Sequence, residues 1–440
     1  MKDKKIFKDF FKYVSLNVFG QMAYSCYTLA DTFFVSAKLG ANGLTALNLA
    51  FPVFCLINGT GLMLGMGAGT RYSLLRSRGD CQKANQSFTN AIFLTACFAV
   101  IFCFSGLFFS GMIAKALGAD ETIFDMTNTY LRVMLLFSPA FLANTILQCF
   151  VRNDGNPSLS MAAMFTGSLS NIILDYIFIF PLRMGIFGAI LATGMSPVIS
   201  MIVLSSYFIG RKNNFHFVSA IPDKKEMMKI LSTGIPSLVT EVSSGVVMLV
   251  FNFIILRLEG NTGVAAFGVI TVISLVVVAV YTGLSQGIQP IISLNHGTGN
   301  TANVKAIWKY AMITILLISA VIYGTIFFNT AQITIAFNSG KNESLQRLAV
   351  TGLKLYFLAC PVTGFNIISA TYFVSTERSR PAQIISCLRG FLMLIPMVFL
   401  LSSVWGITGV WLAYPFTESM VALTGAVLLK RLSQAKIQRQ

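Results

Sequence analysis

Charge is scarce in this chain. Only 11% of its 440 residues are charged, against about 25% in an average soluble domain, which excludes an ordinary soluble globular protein. Acids are scarcer still, with 16 Asp and Glu against 32 Lys and Arg, and there are only two histidines. The eight cysteines (26, 55, 81, 97, 103, 149, 360 and 387) show no CxxC spacing and mostly fall inside apolar blocks. They read as packing residues, not as metal ligands or a disulfide framework. No GxxxxGK[ST] phosphate loop occurs; the nearest fragment, Gly340-Lys341-Asn342, has neither the spacing nor the hydroxyl residue. No nucleophile arrangement stands out, so an enzyme is not expected, and neither is a bound cofactor. No cleavable signal peptide is evident, because the basic, amphipathic segment from Met1 to Lys12 runs straight into a full-length apolar span.

Long apolar blocks are what the sequence has in abundance. Hydrophobic residues make up 55% of it and mean hydropathy is +0.73. Twelve spans can be drawn, at 14–36, 46–72, 88–114, 126–151, 157–180, 186–210, 228–256, 263–290, 306–329, 348–375, 384–403 and 406–429. Blocks of this length cross a bilayer as helices, whereas a spanning barrel would read as short alternating segments. The net charge of +16 does not point to nucleic acid, because the basic residues sit at the ends of apolar blocks. With the N-terminus placed in the cytoplasm, 24 of the 32 Lys and Arg fall at cytoplasmic ends, six at external ends, and Arg132 and Lys354 inside spans. That asymmetry puts both termini of a multi-pass protein in the cytoplasm, in an inner or plasma membrane.

The longest polar stretch, Arg211 to Lys229, divides the chain near its midpoint, and an offset of 221 to 222 aligns the two halves. It places Asp31 over Asn252, Gly61 and Gly65 over Gly283 and Gly287, Arg132 over Lys354 and Pro139 over Pro361. Six spans per half make the repeats parallel. The expected fold is therefore an all-α polytopic membrane protein of twelve transmembrane helices, in two six-helix lobes related by a pseudo-two-fold along the membrane normal. The expected organisation is a cytoplasmic amphipathic N-terminus (1–13), an N-lobe (14–210), a cytoplasmic linker (211–227), a C-lobe (228–429) and a basic cytoplasmic tail (430–440). Nothing in the sequence requires more than a monomer.

Four carboxylates lie inside spans: Asp31, Asp175, Glu241 and Glu418. An acid at the centre of a spanning helix costs roughly 2.5–3.5 kcal/mol on insertion scales, so it usually faces a cavity and carries function. Asp31 and Asp175 each lie about five residues before the external end of their span, roughly 8 Å from the boundary. Asn171 is one helical turn from Asp175, and Thr193 and Tyr130 fall at a similar level. Two carboxylates, an amide and hydroxyls suit a hard monovalent cation, so Asp31, Asn171, Asp175 and Thr193 could hold Na⁺. Two close acids would equally retain a proton, and the residues leave the choice between H⁺ and Na⁺ open. Glu241 and Glu418 fall near mid-membrane in the second half. With Asn252 they form an expected substrate pathway that attracts cations.

Several segments resemble the multidrug and toxic compound extrusion (MATE) transporters, in particular the bacterial multidrug-export branch. They are Tyr27-Thr-Leu-Ala-Asp-Thr-Phe-Phe-Val, Asn48-Leu-Ala-Phe-Pro, Arg152-Asn-Asp-Gly-Asn-Pro, Asn171-Ile-Ile-Leu-Asp, Gly234-Ile-Pro and Gly287-Ile-Gln-Pro-Ile-Ile-Ser. The resemblance implies an antiporter in which H⁺ or Na⁺ entry drives release of cationic or amphipathic drugs into the medium. It also implies an N-lobe cation site built of residue types like Asp31, Asn171, Asp175 and Thr193, with a tyrosine like Tyr130 nearby. Another branch pairs an acid like Glu241 with an aspartate in span ten, but span ten here has no acid in its interior, only Glu377 at its end. A flippase for lipid-linked precursors, from the same superfamily, is the alternative reading.

Overall fold

A computed structural model of the chain describes residues 2–218, 223–338 and 342–437. Lys341, the side chains of Lys2 and Lys436, and Arg439, all part of the charge count above, lie outside the described residues. Every regular element is helical, with no strand among the described residues. Asx residues start many of the helices: Asp80, Asn156, Asp223, Asn300 and Asn342 each accept a backbone N–H of the first turn through the side chain. This satisfies donors that a helix start leaves open.

Three very long helical stretches are each two spans joined without a loop. Lys2–Ser77 breaks at Gly40 into α1 (2–39) and α2 (41–77). Lys224–Gly297 breaks at Gly260 into α7 (224–259) and α8 (261–297). The third break is at Gly406, where φ is 57° and ψ is −135°. All three glycines have φ near +60° with strongly negative ψ, a region that only glycine enters without strain. The remaining spans are α3 (Cys81–Phe108), α4 (Phe124–Leu136 and Ser138–Asn153), α5 (Pro157–Ile179), α6 (Gly185–Ile209), α9 (Thr301–Phe337) and α10 (Glu343–Tyr356 through Cys360–Ser375). Last come α11, from Ser379 through a π-helical turn at Leu388–Leu392 to residue 405, and α12 (407–437). The chain thus crosses twelve times.

The duplication is visible in the backbone itself. Left-handed residues recur in matched pairs, Gly40 with Gly260, Gly79 with Gly299, Gly155 with Glu377 and Gly185 with Gly406, at separations between 220 and 222. The matched prolines do the same work in both halves. Pro139 opens the second part of α4 after a bend of 47°, and Pro361 opens the second part of α10 after a 3₁₀ turn at Phe357–Ala359. Proline is tolerated there because a helix start has no acceptor for its missing N–H. Among the other in-span prolines, Pro52, Pro197, Pro236, Pro290 and Pro415 sit within continuous helix.

The two lobes meet along α1 against α8 and α2 against α7, and small residues set the spacing. A Cβ built on Gly234 of α7 would lie 1.8 Å from the Met63 carbonyl oxygen of α2, so only glycine fits this crossing. Gly234→Val is therefore expected to destabilise the protein by about 1–3 kcal/mol or more through overpacking. A lowered thermal midpoint of the detergent-solubilised protein reads this out; an unchanged midpoint would contradict so tight a seam.

α1 is longer than the sequence reading allowed. At about 1.5 Å per residue its 38 residues reach some 57 Å, well beyond a hydrocarbon core of about 30 Å. Its first turns pack on α9, where Phe7 and Phe10 lie 5.5 and 5.8 Å from the Tyr310 ring. Large apolar side chains such as Val100, Phe104, Leu317, Val321, Phe328 and Leu400 point outward on α3, α9 and α11, as lipid-facing surfaces require. The opening of the linker belongs to the N-lobe: Phe215 is fully buried among Tyr72, Phe88 and Phe150, and the Asn214 N–H donates to Asp154.

Candidate functional site

Asp31 on α1, Tyr130 on α4, Asn171 and Asp175 on α5 and Thr193 on α6 come together inside the N-lobe, each less than a tenth exposed. Asp31 and Asp175 stand carboxyl to carboxyl within hydrogen-bonding reach. The Asn171 amide donates to the Thr193 hydroxyl at 3.4 Å, and Tyr130 faces Thr193. The acceptors left over are what matter. Asp31 Oδ1, Asn171 Oδ1 and both Asp175 carboxylate oxygens are buried with no donor among the described residues. Two carboxylates in contact in a low-dielectric interior cannot both stay ionised alone. The cluster therefore calls for one positive charge, and its oxygen-only donor set fits a proton or a hard monovalent cation equally. Among the described residues no three His, Cys, Asp or Glu side chains converge, so no transition-metal site competes with that reading.

The shared level of the two acids has a different origin from the one expected. Asp31 lies nine residues before the Gly40 break, about 13 Å, whereas Asp175 lies four residues before the end of α5 at Ile179, about 6 Å. α1 continues through the polar run Ser36-Ala-Lys-Leu, because only the glycine interrupts its backbone ladder, so it overshoots α5. Tyr27 also belongs to this cluster and was missed. It is 8% exposed, one turn before Asp31, and its ring packs edge-on against Tyr24 at 4.9 Å. The i, i+4 spacing from Tyr27 to Asp31 was the available signal.

Glu241 lies apart, on α7 at the seam between the lobes. Asn58 of α2 donates to it at 3.3 Å, and among the described residues no cationic side chain pairs with it. Asn252, the repeat partner of Asp31, is half-buried farther along α7. Glu418 is elsewhere again, and it is not a free acid. Arg389 pairs with it at 2.8 Å and Asn366 donates to it at 2.6 Å, with Glu418 only 2% exposed. Arg389 was assigned to a cytoplasmic helix end, but it sits about 15 Å into α11. It falls within the π-helical turn at Leu388–Leu392. Removing Arg389 alone strands a buried carboxylate, at a cost of about 3–5 kcal/mol, while an apolar replacement of both partners is close to neutral. Arg389→Met is expected to lose folded protein on size-exclusion chromatography, and adding Glu418→Leu to restore most of it.

At the termini-bearing end, polar groups tie the lobes together. Arg71 of α2 reaches Glu226 of α7 at 2.8 Å and also pairs with Glu377 beyond α10, which Arg78 holds at 2.8 Å as well. Arg152, assigned to a helix end by sequence, is 1% exposed. It donates to Asn17 at 3.0 Å and to Gln286 of α8 at 2.9 Å. Asn153 and Gln289 exchange amide hydrogen bonds at 3.2 and 3.1 Å, and Gln289 also donates to Thr70 at 2.9 Å. Asp154 stays within its lobe, bonded to Tyr72, Tyr207 and Arg76.

Two matched blocks of sequence, one in each lobe, decide the family: the MatE family model matches residues 17–177 and 236–400. The chain belongs to the MatE family. Its curated MatE relatives include the multidrug export protein MepA of Staphylococcus saprophyticus, 27% identical over 96% of this chain and 93% of that one. MepA of Staphylococcus aureus is 26% identical over the same shares. Among solved structures, the fold superposes on an outward-facing multidrug resistance MATE transporter with a TM-score of 0.92, at 22% identity, covering 98% of this chain and 97% of that one. A transporter of the same superfamily from Pyrococcus furiosus superposes with a TM-score of 0.91 at 22% identity, covering 98% and 96%. The MatE relatives found are thus transporters, not enzymes, and this MatE protein is a multi-pass membrane protein.

Proposed function

We propose that the protein is a secondary active multidrug exporter. It antiports cationic or amphipathic small molecules against H⁺ or Na⁺ by alternating access, in an inner or plasma membrane with both termini cytoplasmic. The observation that carries this reading is the Asp31–Asp175 pair, buried together with three of its four oxygens lacking a donor among the described residues. An inward-moving proton or Na⁺ supplies the missing charge, with Asn171, Thr193 and Tyr130 completing the shell. Glu241, beside Asn58 at the lobe seam, is the acid that meets a cationic substrate. Loading of the N-lobe pair closes the outer side around α1 and releases the substrate. Residues 1–13, the linker 211–227 and the tail 430–440 are assigned to the cytoplasm with the 24 basic residues of that side. The Arg71, Arg152 and Gln289 contacts then form the cytoplasmic closure of an outward-facing state, and the lobes (14–210 and 228–429) move as the two rigid halves. A monomer suffices.

Purified protein in liposomes is expected to move ethidium when a gradient is imposed across the bilayer. Imposing a pH gradient and a Na⁺ gradient separately identifies the ion. No ethidium movement under either gradient would remove this reading.

A further inference from the structure

The first turns of α1 pack into the opposite lobe. Ile6, Phe10 and Val14 recur at four-residue steps, each less than a tenth exposed, and belong to the apolar core of the C-lobe with Ile288 and Ile292 of α8 and Ile307 of α9. A Cβ built on Gly287 of α8 would lie 2.8 Å from the Val14 Cα, so the two backbones run nearly in contact there. Lys4, Lys8 and Lys12 recur at the same step on another face, all exposed, with exposed Lys5 beside them. Between the two faces Phe7 and Phe11 are 52% and 64% exposed. One stripe of this amphipathic helix is thus anchored in the C-lobe, and an apolar edge and a basic stripe are left over.

A second basic set stands at the same level on α9. Both helices start at the termini-bearing end. Lys305 lies five residues before Tyr310, just as Lys5 lies five before Phe10, whose ring meets that of Tyr310; the rise is about 7.5 Å in each case. Lys305 and Lys309 are exposed. Asp9, half-buried on α1, is the one acid with a described side chain in either stretch (4–14 and 301–310). Among the described residues none of the six lysines has an ion-pair partner. Packed helices lie about 8–10 Å apart, close to the screening length of about 8 Å at physiological ionic strength. One anionic group seated between them is therefore felt by lysines of both lobes. Trp308 and Tyr310 mark this level as the membrane–water interface, where such rings concentrate. The anion that stands at that level beside an apolar edge is a phospholipid headgroup, its acyl chains lying along Phe7 and Phe11.

We propose that the head of α1 and the start of α9 form a binding surface for anionic phospholipid headgroups, and that a lipid held there clamps the two lobes at the termini-bearing end. The head of α1 is continuous with the N-lobe backbone yet seated on the C-lobe. Any separation of the lobes at this end must draw Lys4, Lys8 and Lys12 away from Lys305 and Lys309. A shared headgroup opposes that movement, and a leaflet poor in anionic lipid permits it. This goes beyond the exporter reading and stands without it.

The test measures the thermal midpoint of the full chain in detergent with added dioleoylphosphatidylglycerol, dioleoylphosphatidylcholine or inorganic phosphate. A ligand that binds only the folded state raises the midpoint. Phosphatidylglycerol is expected to raise it by about 3 °C or more, and the other two to leave it unmoved. Lys4→Gln, Lys8→Gln and Lys12→Gln together are expected to remove most of that rise, and so are Lys305→Gln and Lys309→Gln together. Combining the two sets is expected to remove little more, because a clamp fails when either side is lost. A rise retained in both sets overturns the surface, as does the absence of any rise in the unaltered protein. An equal rise with phosphatidylcholine overturns headgroup recognition, and an equal rise with inorganic phosphate overturns a lipid as the occupant. Losses that simply add overturn the clamp, since each lobe would then hold its own lipid.

Discussion

Asp31→Asn is expected to give a folded protein whose gradient-driven export of ethidium falls to the level of empty liposomes. The substitution is nearly isosteric, so the packing of α1 against α5 and α6 is retained. What disappears is one of the two charges that make the buried cluster demand a cation. Asn supplies its own amide N–H to Asp175, which is among the oxygens now lacking a donor, so the site is satisfied without any ion. A coupling site that no longer distinguishes loaded from empty contributes no differential binding energy, and no ligand can then shift the conformational equilibrium. Asp175→Asn should behave the same way. Binding of tetraphenylphosphonium should survive in both, because Glu241 is untouched. Full gradient-driven export by Asp31→Asn would sink the N-lobe mechanism.

The second large effect is expected at the opposite end of the lobe seam. Arg71→Ala removes the two cross-lobe ion pairs that Arg71 makes, to Glu226 and to Glu377, and leaves Arg78–Glu377 as the remaining one. Loss of about 1.4 kcal/mol shifts an equilibrium tenfold, and a partly buried charge cluster that loses its shared cation exceeds that. The chain contains its own reporter. Cys149 is 2% exposed, lies against Gly65 and is capped by the Arg152 guanidinium at 3.4 Å, and Arg152 is held in place by Gln286 from the other lobe. In a variant that retains only this cysteine, Arg71→Ala is expected to raise the rate of maleimide labelling about tenfold or more. A rate equal to that of the parent would mean that Arg71 does not hold the lobes together.

The sequence was most informative where chemistry and helical spacing act locally. Asn171 and Asp175 share a face because they are one turn apart. The span count and the repeat offset follow from long apolar blocks and recurring Gly and Pro. What escaped was pairing over long separations. Arg71 meets Glu226 and Glu377 across 155 and 306 residues, which no local pattern encodes. The depth of Arg389, and the burial of Arg152 in the last turn of its helix, escaped for a related reason. A basic residue near a helix end ordinarily reaches water, and only the packing of a neighbouring lobe or a π-helical turn decides otherwise. The arginine that neutralises Glu418 sits in that turn, and a pattern of residue types does not report a π-turn.

Glu377 has a further consequence, for how such a chain can be taken apart. The matched loop of the N-lobe has a glycine, Gly155, in the same left-handed backbone position, whereas a residue with a Cβ pays about 1–2 kcal/mol to stay there. The carboxylate at that spot is the one that reaches across to Arg71 and Arg78. Two copies of the first half, expressed without the second, would have the easy loop twice and the reaching carboxylate not at all. Such a homodimer would lack the ion pairs that Glu377 makes to Arg71 and Arg78. The strained side chain is thus one reason, with Glu226, Gln286 and Gln289, that a copy of the first half does not replace the second.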